Sequence, residues 1–157
     1  MRDFNEKDKK KKKGRIVLPE NPANLSESEY TELKNVIKSS LREGYLPCPS
    51  GWQIAREAGV PRVAIGEIID KIGSRVTECQ VGCFKVDKTP FDTWDTENAK
   101  RLDGEVVLEI KRLGSENQLT CETVFDIVKK YKLKPMDVSH EINALGFKIT
   151  VCQLGCF

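Results

Sequence analysis

The sequence predicts a mainly α-helical protein with a small β ribbon, made of two tandem copies of a unit that contains three helices and a final strand. The first observation is a repeat, because residues 77–84, TECQVGCF, return at 150–157 as TVCQLGCF. The offset holds without a gap over residues 48–84 and 121–157, where ten of 37 aligned positions are identical. The second observation is that apolar residues recur at helical spacing in both copies. A repeat of this kind indicates that each copy is one structural unit.

The chain divides into four predicted segments. Residues 1–24 form a Lys-rich arm without hydrophobic periodicity, which predicts disorder. Residues 25–84 are the first copy, residues 85–95 are a linker, and residues 96–157 are the second copy. A chain of 157 residues with 39% hydrophobic residues can bury one moderate core or two small ones. We therefore expect the two copies to share an interface.

In the first copy, each predicted helix has a start signal and a glycine that stops it. Ser26 and Glu29 form a capping-box pattern at the start of the first helix. The start and stop residues are Ser26 and Gly44, Pro49 or Ser50 and Gly59, and Pro61 and Gly73. Residues 75–84 then alternate and are rich in β-branched and aromatic types, so they predict a strand.

The second copy follows the same plan. Its predicted helices start at Thr96, at Thr120 or Thr123, and at Pro135, and the first and third end before Gly114 and Gly146. Residues 147–157 predict the closing strand. A strand without a partner in its own copy would leave backbone N–H and C=O groups unpaired. We therefore expect residues 75–84 to pair with residues 148–157 as an antiparallel ribbon around a pseudo-twofold axis.

Residues 53–73, QIAREAGVPRVAIGEIIDKIG, resemble the helix-turn-helix of DNA-binding proteins. Ala55 is small where the two helices would cross, and Gly59 allows the left-handed turn that such a connection needs. Ile65 and Ile68 would face inward from the second helix of the pair. Three helices followed by a strand resemble the winged-helix subclass.

The second copy departs from this pattern at three positions. Val128 stands where the first copy has a small alanine, Lys132 stands at the turn glycine, and Glu141 replaces an inward-facing isoleucine. The expectation is a helical scaffold that serves as a packing or dimerisation partner. The closing CQLG of residues 152–155, and its variant CQVG at 79–82, are also similar to tails of small prokaryotic proteins grouped with molybdate-responsive regulators.

The resemblance implies that the third helix of the first copy enters the major groove of double-stranded DNA. Residues 1–15 carry eight Lys or Arg residues against three acidic residues, whereas residues 16–157 carry 18 basic and 21 acidic residues. Basic charge for phosphate contacts is therefore concentrated in the arm. The leading hypothesis is a small DNA-binding transcriptional regulator. Its predicted contact residues are Lys9, Lys10, Lys11, Lys12, Lys13, Arg62, Lys71 and Arg75.

A second hypothesis is a protein-interaction or assembly module on a helix-turn-helix scaffold. The third helix would carry acidic side chains as well as basic ones, namely Glu67 and Asp70, which suits phosphate contacts poorly. An acidic or buried third helix would favour this alternative, because a fold by itself does not fix a function.

The six cysteines suggest a third hypothesis, a thiolate sensor of zinc or an iron–sulfur cluster. They form two sets with identical spacing, namely Cys48, Cys79 and Cys83, and Cys121, Cys152 and Cys156. In a straight strand the last two members of each set lie ~13 Å apart, too far for one ion with sulfur bonds of ~2.3 Å. A shared site therefore requires the chain to turn at Gly82 and Gly155. Otherwise the thiols are packing residues and no cofactor is bound.

Several classes are excluded by missing patterns. His140 is the only histidine, and the sequence has no nucleophile motif, phosphate loop or dinucleotide fingerprint, so we do not expect an enzyme. No stretch approaches the ~20 apolar residues of a membrane span. No apolar segment follows the Lys-rich start, so we expect a cytoplasmic protein with reduced thiols.

Overall fold

The computed structural model describes residues 16–83 and 102–157 of the chain. Within these ranges there are six helices and two short strands. The helices are α1 Glu27–Ser39, α2 Cys48–Glu57, α3 Arg62–Lys71, α4 Gly104–Ser115, α5 Cys121–Tyr131 and α6 Pro135–Ala144; the strands are β1 Tyr45–Pro47 and β2 Arg75–Thr77. The mainly helical prediction is confirmed at this level. The predicted arm residues 1–15, and residues 84–101 with the predicted linker, lie outside the described residues.

The chain forms two compact units, and unit 1 is not a continuous stretch of sequence. Unit 1 contains the chain up to Cys79 together with Gln153–Phe157. Unit 2 contains Gln80–Cys152. The end of the chain therefore belongs to the unit formed by the first half of the sequence, whereas Gln80–Cys83 belongs to the unit formed by the second half.

Helix α1 of unit 1 begins with the predicted capping box. The Glu29 amide donates to Ser26 Oγ, and Glu29 Oε2 accepts from the Ser26 amide at 2.8 Å. Leu33 and Ile37 are buried on its inner face. The helix ends at Ser39, before the predicted stop, because the amides of Arg42 and Tyr45 exchange hydrogen bonds of 2.8 and 2.9 Å across a tight turn.

Helices α2 and α3 are joined by the predicted short turn. Gly59 lies at its centre with a φ of +66°, a conformation that costs a residue with a β-carbon about 1–2 kcal/mol. The Val60 amide then donates to the Ala55 carbonyl at 3.0 Å, which closes the end of α2. Ala55 and Ile65 are both buried, as the sequence pattern predicts for the inside of such a helix pair.

The predicted antiparallel ribbon was wrong in both its partner and its direction. Strand β2 is three residues long and pairs in parallel with β1 inside unit 1, in the register Tyr45 with Arg75 and Pro47 with Thr77. The pairing follows from the chain path, because α2 and α3 form the crossover connection that a parallel pair requires. Strand β2 ends where Glu78 takes a left-handed φ of +50°. Strand β1 was not predicted from the sequence, since it contains Pro47 and proline is depleted in strands.

Residues 148–157 contain no strand, although the prediction placed one there. Part of this stretch instead lies beside the start of α5 in unit 2. The Thr150 amide donates to the Leu119 carbonyl at 2.9 Å, and the Cys121 amide donates to the Val151 carbonyl at 2.8 Å. Two of the backbone groups that motivated the ribbon prediction are thus paired within unit 2.

In unit 2, α5 starts at a capping box formed by Thr120 and Thr123. Gly114, the predicted stop of α4, lies inside that helix, and a β-carbon there would approach the Phe147 ring to 2.6 Å. Its small size therefore serves close packing. Lys132 takes a left-handed φ of +53° in the turn before α6, where the sequence comparison placed it opposite Gly59. None of the described helices is long and apolar enough to cross a membrane.

Candidate interaction site

Helix α3 is the helix expected to read DNA, and most of it is buried. Its residues 64–69 are all buried, including Gly66 and Glu67. Only Lys71 in this helix is an exposed residue. A recognition helix presents a row of exposed side chains to the base edges of the groove. Helix α3 does not present such a row in unit 1.

Arg62, a predicted DNA contact, is held by two partners within unit 1. Its guanidinium lies over the Trp52 ring, 3.5 Å from the ring centroid. Its Nη1 atom donates to the side-chain oxygen of Gln153. Stacking on an aromatic face and a hydrogen bond from the same guanidinium fix the position of this side chain.

Lys71, the second predicted contact on α3, belongs to a cluster around a buried carboxylate. Its Nζ atom lies 2.7 Å from Glu67 Oε1 and 3.3 Å from Glu20 Oε1. Tyr30 donates its hydroxyl proton to Glu67 Oε2 at 2.9 Å. The hydrogen bond to Glu67 raises the pKa of Lys71 well above its usual value. Burial, followed by the contact with Glu67, raises the pKa of Tyr30.

The remaining predicted DNA contacts do not lie on α3. Arg75 is half-buried in β2, in register with Tyr45. The five lysines Lys9, Lys10, Lys11, Lys12 and Lys13 lie outside the described residues. Of the predicted contact set, the structure brings Arg62 and Lys71 onto the same helix, and both are engaged by other side chains.

The face of α3 that carries Arg62 is covered by Gln153–Phe157, which we call the C-terminal segment. Leu154 is fully buried in unit 1. A β-carbon on Gly66 would overlap the carbonyl oxygen of Leu154, so the segment approaches the helix backbone directly. On the other side, a β-carbon on Gly51 would lie 3.3 Å from the Leu154 side chain. We call the surface formed by Gly51, Arg62 and Gly66 the unit 1 seat.

Gly155 completes this arrangement from the segment side. It has a φ of +64°, and a β-carbon at that position would overlap the side chain of Leu18. A glycine is therefore required twice over, by the backbone conformation and by the close approach of Leu18. The invariant part of the repeated CQxG pattern thus has a mechanical role in unit 1.

Unit 2 holds Gln80–Gly82 of the other CQxG sequence in a comparable way. Val81 is 1% exposed, and its carbonyl oxygen accepts a hydrogen bond from Ser139 Oγ of α6. Gly82 has a φ of +68°, and a β-carbon there would lie 3.0 Å from the Met136 side chain. Ser139 lies 73 residues after Gly66, and Leu154 lies 73 residues after Val81. In each unit a helix residue lies against a backbone carbonyl: Gly66 against that of Leu154, and Ser139 against that of Val81. Both the helix residues and the carbonyls are related by the 73-residue offset of the sequence repeat.

The cysteines are distributed over both units. Unit 1 contains Cys48, Cys79 and Cys156, and unit 2 contains Cys83, Cys121 and Cys152. Cys48, Cys121 and Cys152 are buried, whereas Cys83 is exposed. The chain does turn at Gly82 and Gly155, as a shared thiolate site would require. In the described ranges, however, no group of three or more His, Cys, Asp or Glu side chains is placed to hold a metal ion. The zinc or iron–sulfur hypothesis stays a prediction.

Sequence reasoning missed the residues that form this site, namely Gly51, Gly66, Leu154 and Ser139. One signal was available for Gly66, because a glycine in a helix interior is unfavourable by about 1 kcal/mol relative to alanine. Such a glycine often marks close approach by another backbone. Comparisons with protein-family models, curated proteins and solved structures found no match to this chain.

Proposed function

We propose that this chain is a protein-interaction and assembly module built on two tandem helix-turn-helix units of winged-helix type, rather than a reader of DNA sequence. One observation carries the proposal: the α3 face that would contact DNA is covered by the C-terminal segment, with Arg62 bound to Gln153 and Gly66 against the Leu154 carbonyl. The scaffold therefore uses this face to hold polypeptide.

The proposed duplication is supported by the helix bounds. Helices α2 and α5 begin at Cys48 and Cys121, and helices α3 and α6 begin at Arg62 and Pro135, so both pairs are 73 residues apart. The same offset relates the contacts of Leu154 and Val81. Two copies of one unit that each hold a CQxG segment are consistent with a module whose purpose is assembly.

A DNA-binding titration across salt concentrations tests the proposal against the DNA hypothesis. Three variants of the full chain are compared with the wild type: alanine at Lys9–Lys13 together, Lys71→Ala, and Lys129→Ala as an exposed control on α5. We expect any duplex binding at low salt to be independent of sequence and to weaken when the arm lysines are removed, with a shallower salt slope. Lys71→Ala should behave like Lys129→Ala.

The opposite result would be a preferred duplex sequence whose binding survives neutralisation of the arm and is lost in Lys71→Ala. That outcome would assign sequence readout to α3 and reject the assembly proposal. Far-ultraviolet circular dichroism of each variant ensures that the comparison is made on folded chains.

A further inference from the structure

We propose that the Lys-rich arm of this chain docks in a groove of unit 1 between α1 and α2, with the lysines at 9–13 paired to the carboxylates along its edge. The arm itself lies outside the described residues, whereas the groove lies entirely within them. This docking is separate from the proposed assembly function, and neither depends on the other.

The groove, which we call the α1–α2 groove, has an apolar floor and an acidic edge. Leu33 and Ile54 are each 6% exposed at its floor, and Val36 is 42% exposed within it. Three exposed glutamates line the edge, namely Glu29, Glu32 and Glu57. The groove has a volume of about 370 Å³, within the range of ligand-binding clefts. None of the described residues that line it is Lys or Arg.

Two of these carboxylates are hydrogen-bonded locally through one oxygen only. Ser26 donates from its amide and its hydroxyl to Glu29 Oε2. Gln53 donates to Glu57 Oε1 at 2.8 Å. Within the described ranges, the other oxygen of each carboxylate therefore keeps its acceptor capacity. An apolar floor next to such carboxylates suits a partner that is both cationic and partly aliphatic.

Lysine side chains have both of these properties. A lysine packs its aliphatic stem on apolar surface while its ammonium group stays at the polar edge. Residues 1–15 carry eight Lys or Arg residues against three acidic ones, and no other stretch of the sequence has five consecutive basic residues. The stems of the lysines at 9–13 would cover Val36, and their ammonium groups would pair with the glutamates. Charge complementarity thus assigns the groove to the arm.

The chain that leads to the arm runs close to α1. Glu20 Oε1 lies 3.3 Å from Lys71 Nζ, which in turn lies 5.3 Å from the centroid of the Tyr30 ring. Tyr30 follows Glu29 in α1. The seven residues from Lys13 to Glu20 span up to ~25 Å when extended, whereas the whole of α1 is only ~20 Å long. The arm lysines can therefore reach the groove of their own chain.

The tether also favours the arm of the same chain over a basic segment of another molecule. A segment joined by a short flexible linker has an effective concentration on the order of millimolar. A free competitor at micromolar concentration is thus at a large disadvantage. Docking withdraws the arm lysines from other anionic partners and makes the groove and those partners compete for the arm.

Zero-length cross-linking tests the contact in the wild-type full chain. A carbodiimide joins an amine and a carboxylate in direct contact as an amide, and takes up the water that is lost. Equal amounts of isotope-labelled and unlabelled chains are treated at about 1 µM and low salt, far below the effective concentration of the tethered arm. We expect arm lysines to link to Glu29, Glu32 or Glu57 at least about threefold more than to Glu43, an exposed glutamate of unit 1 outside the groove. The linked peptides should have unmixed mass.

Limited proteolysis with trypsin provides a readout that does not need the carboxylates. Cleavage at the arm lysines follows the population of the undocked arm when docking is fast. Glu29→Gln, Glu32→Gln and Glu57→Gln together neutralise the groove, and glutamine at position 29 still suits the capping box. Glu43→Gln, Glu105→Gln and Glu122→Gln together remove the same total charge from exposed positions elsewhere. We expect arm cleavage about threefold faster or more in the groove variant, and a wild-type rate in the control.

Three results would each overturn the proposal. The first is cross-linking of the arm to Glu43 as often as to the groove. The second is linked peptides of mixed mass, which would make the occupant a second copy of the chain. The third is equal arm cleavage in the wild type and in a groove variant whose circular dichroism shows it to be folded. Loss of protection in the wild type at about 1 M salt, where exposed charges are screened beyond ~3 Å, would support it.

Discussion

At the scale of single residues, the partners of Glu67 explain how a charged side chain can be buried in unit 1. It is 5% exposed, and a buried carboxylate is costly unless it is hydrogen-bonded and paired. Tyr30 supplies the hydrogen bond and Lys71 supplies the charge. Lys71, which the sequence analysis predicts to be a DNA contact, thus forms an ion pair with the carboxylate four residues earlier.

The cluster predicts an alkaline loss of stability. Because the pKa values of Lys71 and Tyr30 are both raised in the folded chain, the folded state holds these protons more tightly than the unfolded state. Their contribution is complete below the unfolded pKa values of about 10 and is lost as the pH rises through the folded ones. Glu67→Gln should therefore flatten the decline in the free energy of unfolding above about pH 10, measured by urea denaturation.

At pH 7 the same substitution should cost about 1–3 kcal/mol, the usual price of weakening a hydrogen bond to a buried charged group. Glu105→Gln, at an exposed position in the first turn of α4, is the control and should cost at most the ~0.3–1 kcal/mol of a helix-dipole interaction, with the alkaline pH dependence unchanged. Parallel pH profiles for the wild type and Glu67→Gln would contradict this account of the cluster.

At the scale of secondary-structure elements, the two interhelical turns reach one backbone conformation with different residues. Gly59 has a φ of +66° and Lys132 has a φ of +53°. Lys132 also caps α5, and the Leu133 amide donates to the Val128 carbonyl at 3.0 Å. Lys132, at the position that the predicted repeat aligns with Gly59, therefore keeps the turn conformation and adds backbone strain.

Relief of this strain is a testable consequence. Lys132→Gly should raise the free energy of unfolding by up to about 1 kcal/mol, because removal of the β-carbon relieves the left-handed conformation while glycine adds chain entropy to the unfolded state. Lys129→Gly, at an exposed position within α5, should lower it by about 1 kcal/mol. Thermal and urea denaturation of the two variants would decide the matter, and a loss of equal size in both would show that the turn carries no strain.

At the same scale, the two strands show why strand pairing was harder to predict than the positions of helices. Hydrophobic spacing and capping residues lie within one helix, so Ser26 and Pro135 mark helix starts from local sequence alone. Strand β2 is visible as an extended stretch, but its partner β1 contains Pro47 and lies some thirty residues earlier. The parallel pair forms because α2 and α3 return the chain to that position, which is a property of packing.

At the scale of the whole molecule, the division into units does not follow the order of the sequence. Unit 1 needs Gln153–Phe157, and unit 2 begins at Gln80. The two halves of the chain are thus joined by two segments in addition to the covalent connection between them.

Cleavage of the chain between its two halves tests this organisation. We insert a specific protease site between Thr89 and Pro90 and cleave the folded chain. The two fragments should remain associated in size-exclusion chromatography under reducing conditions, since each unit contains a segment supplied by the other fragment. The same insertion combined with Leu154→Asp should release the fragments more readily, whereas separation of the fragments in the parent chain would show that the segments do not hold them.

The sequence by itself determined the mainly helical fold and several local signals, such as the capping box at Ser26, the start of α6 at Pro135 and the turn at Gly59, because these depend on spacing and on residues close to one another in the chain. Tertiary structure decided the partner and direction of β2, the burial of α3 and the unit to which each CQxG segment belongs. These features depend on which backbone approaches Gly66 and Ser139. A helix-turn-helix pattern is satisfied equally by a face open to DNA and by one covered by polypeptide, so local sequence could not distinguish them.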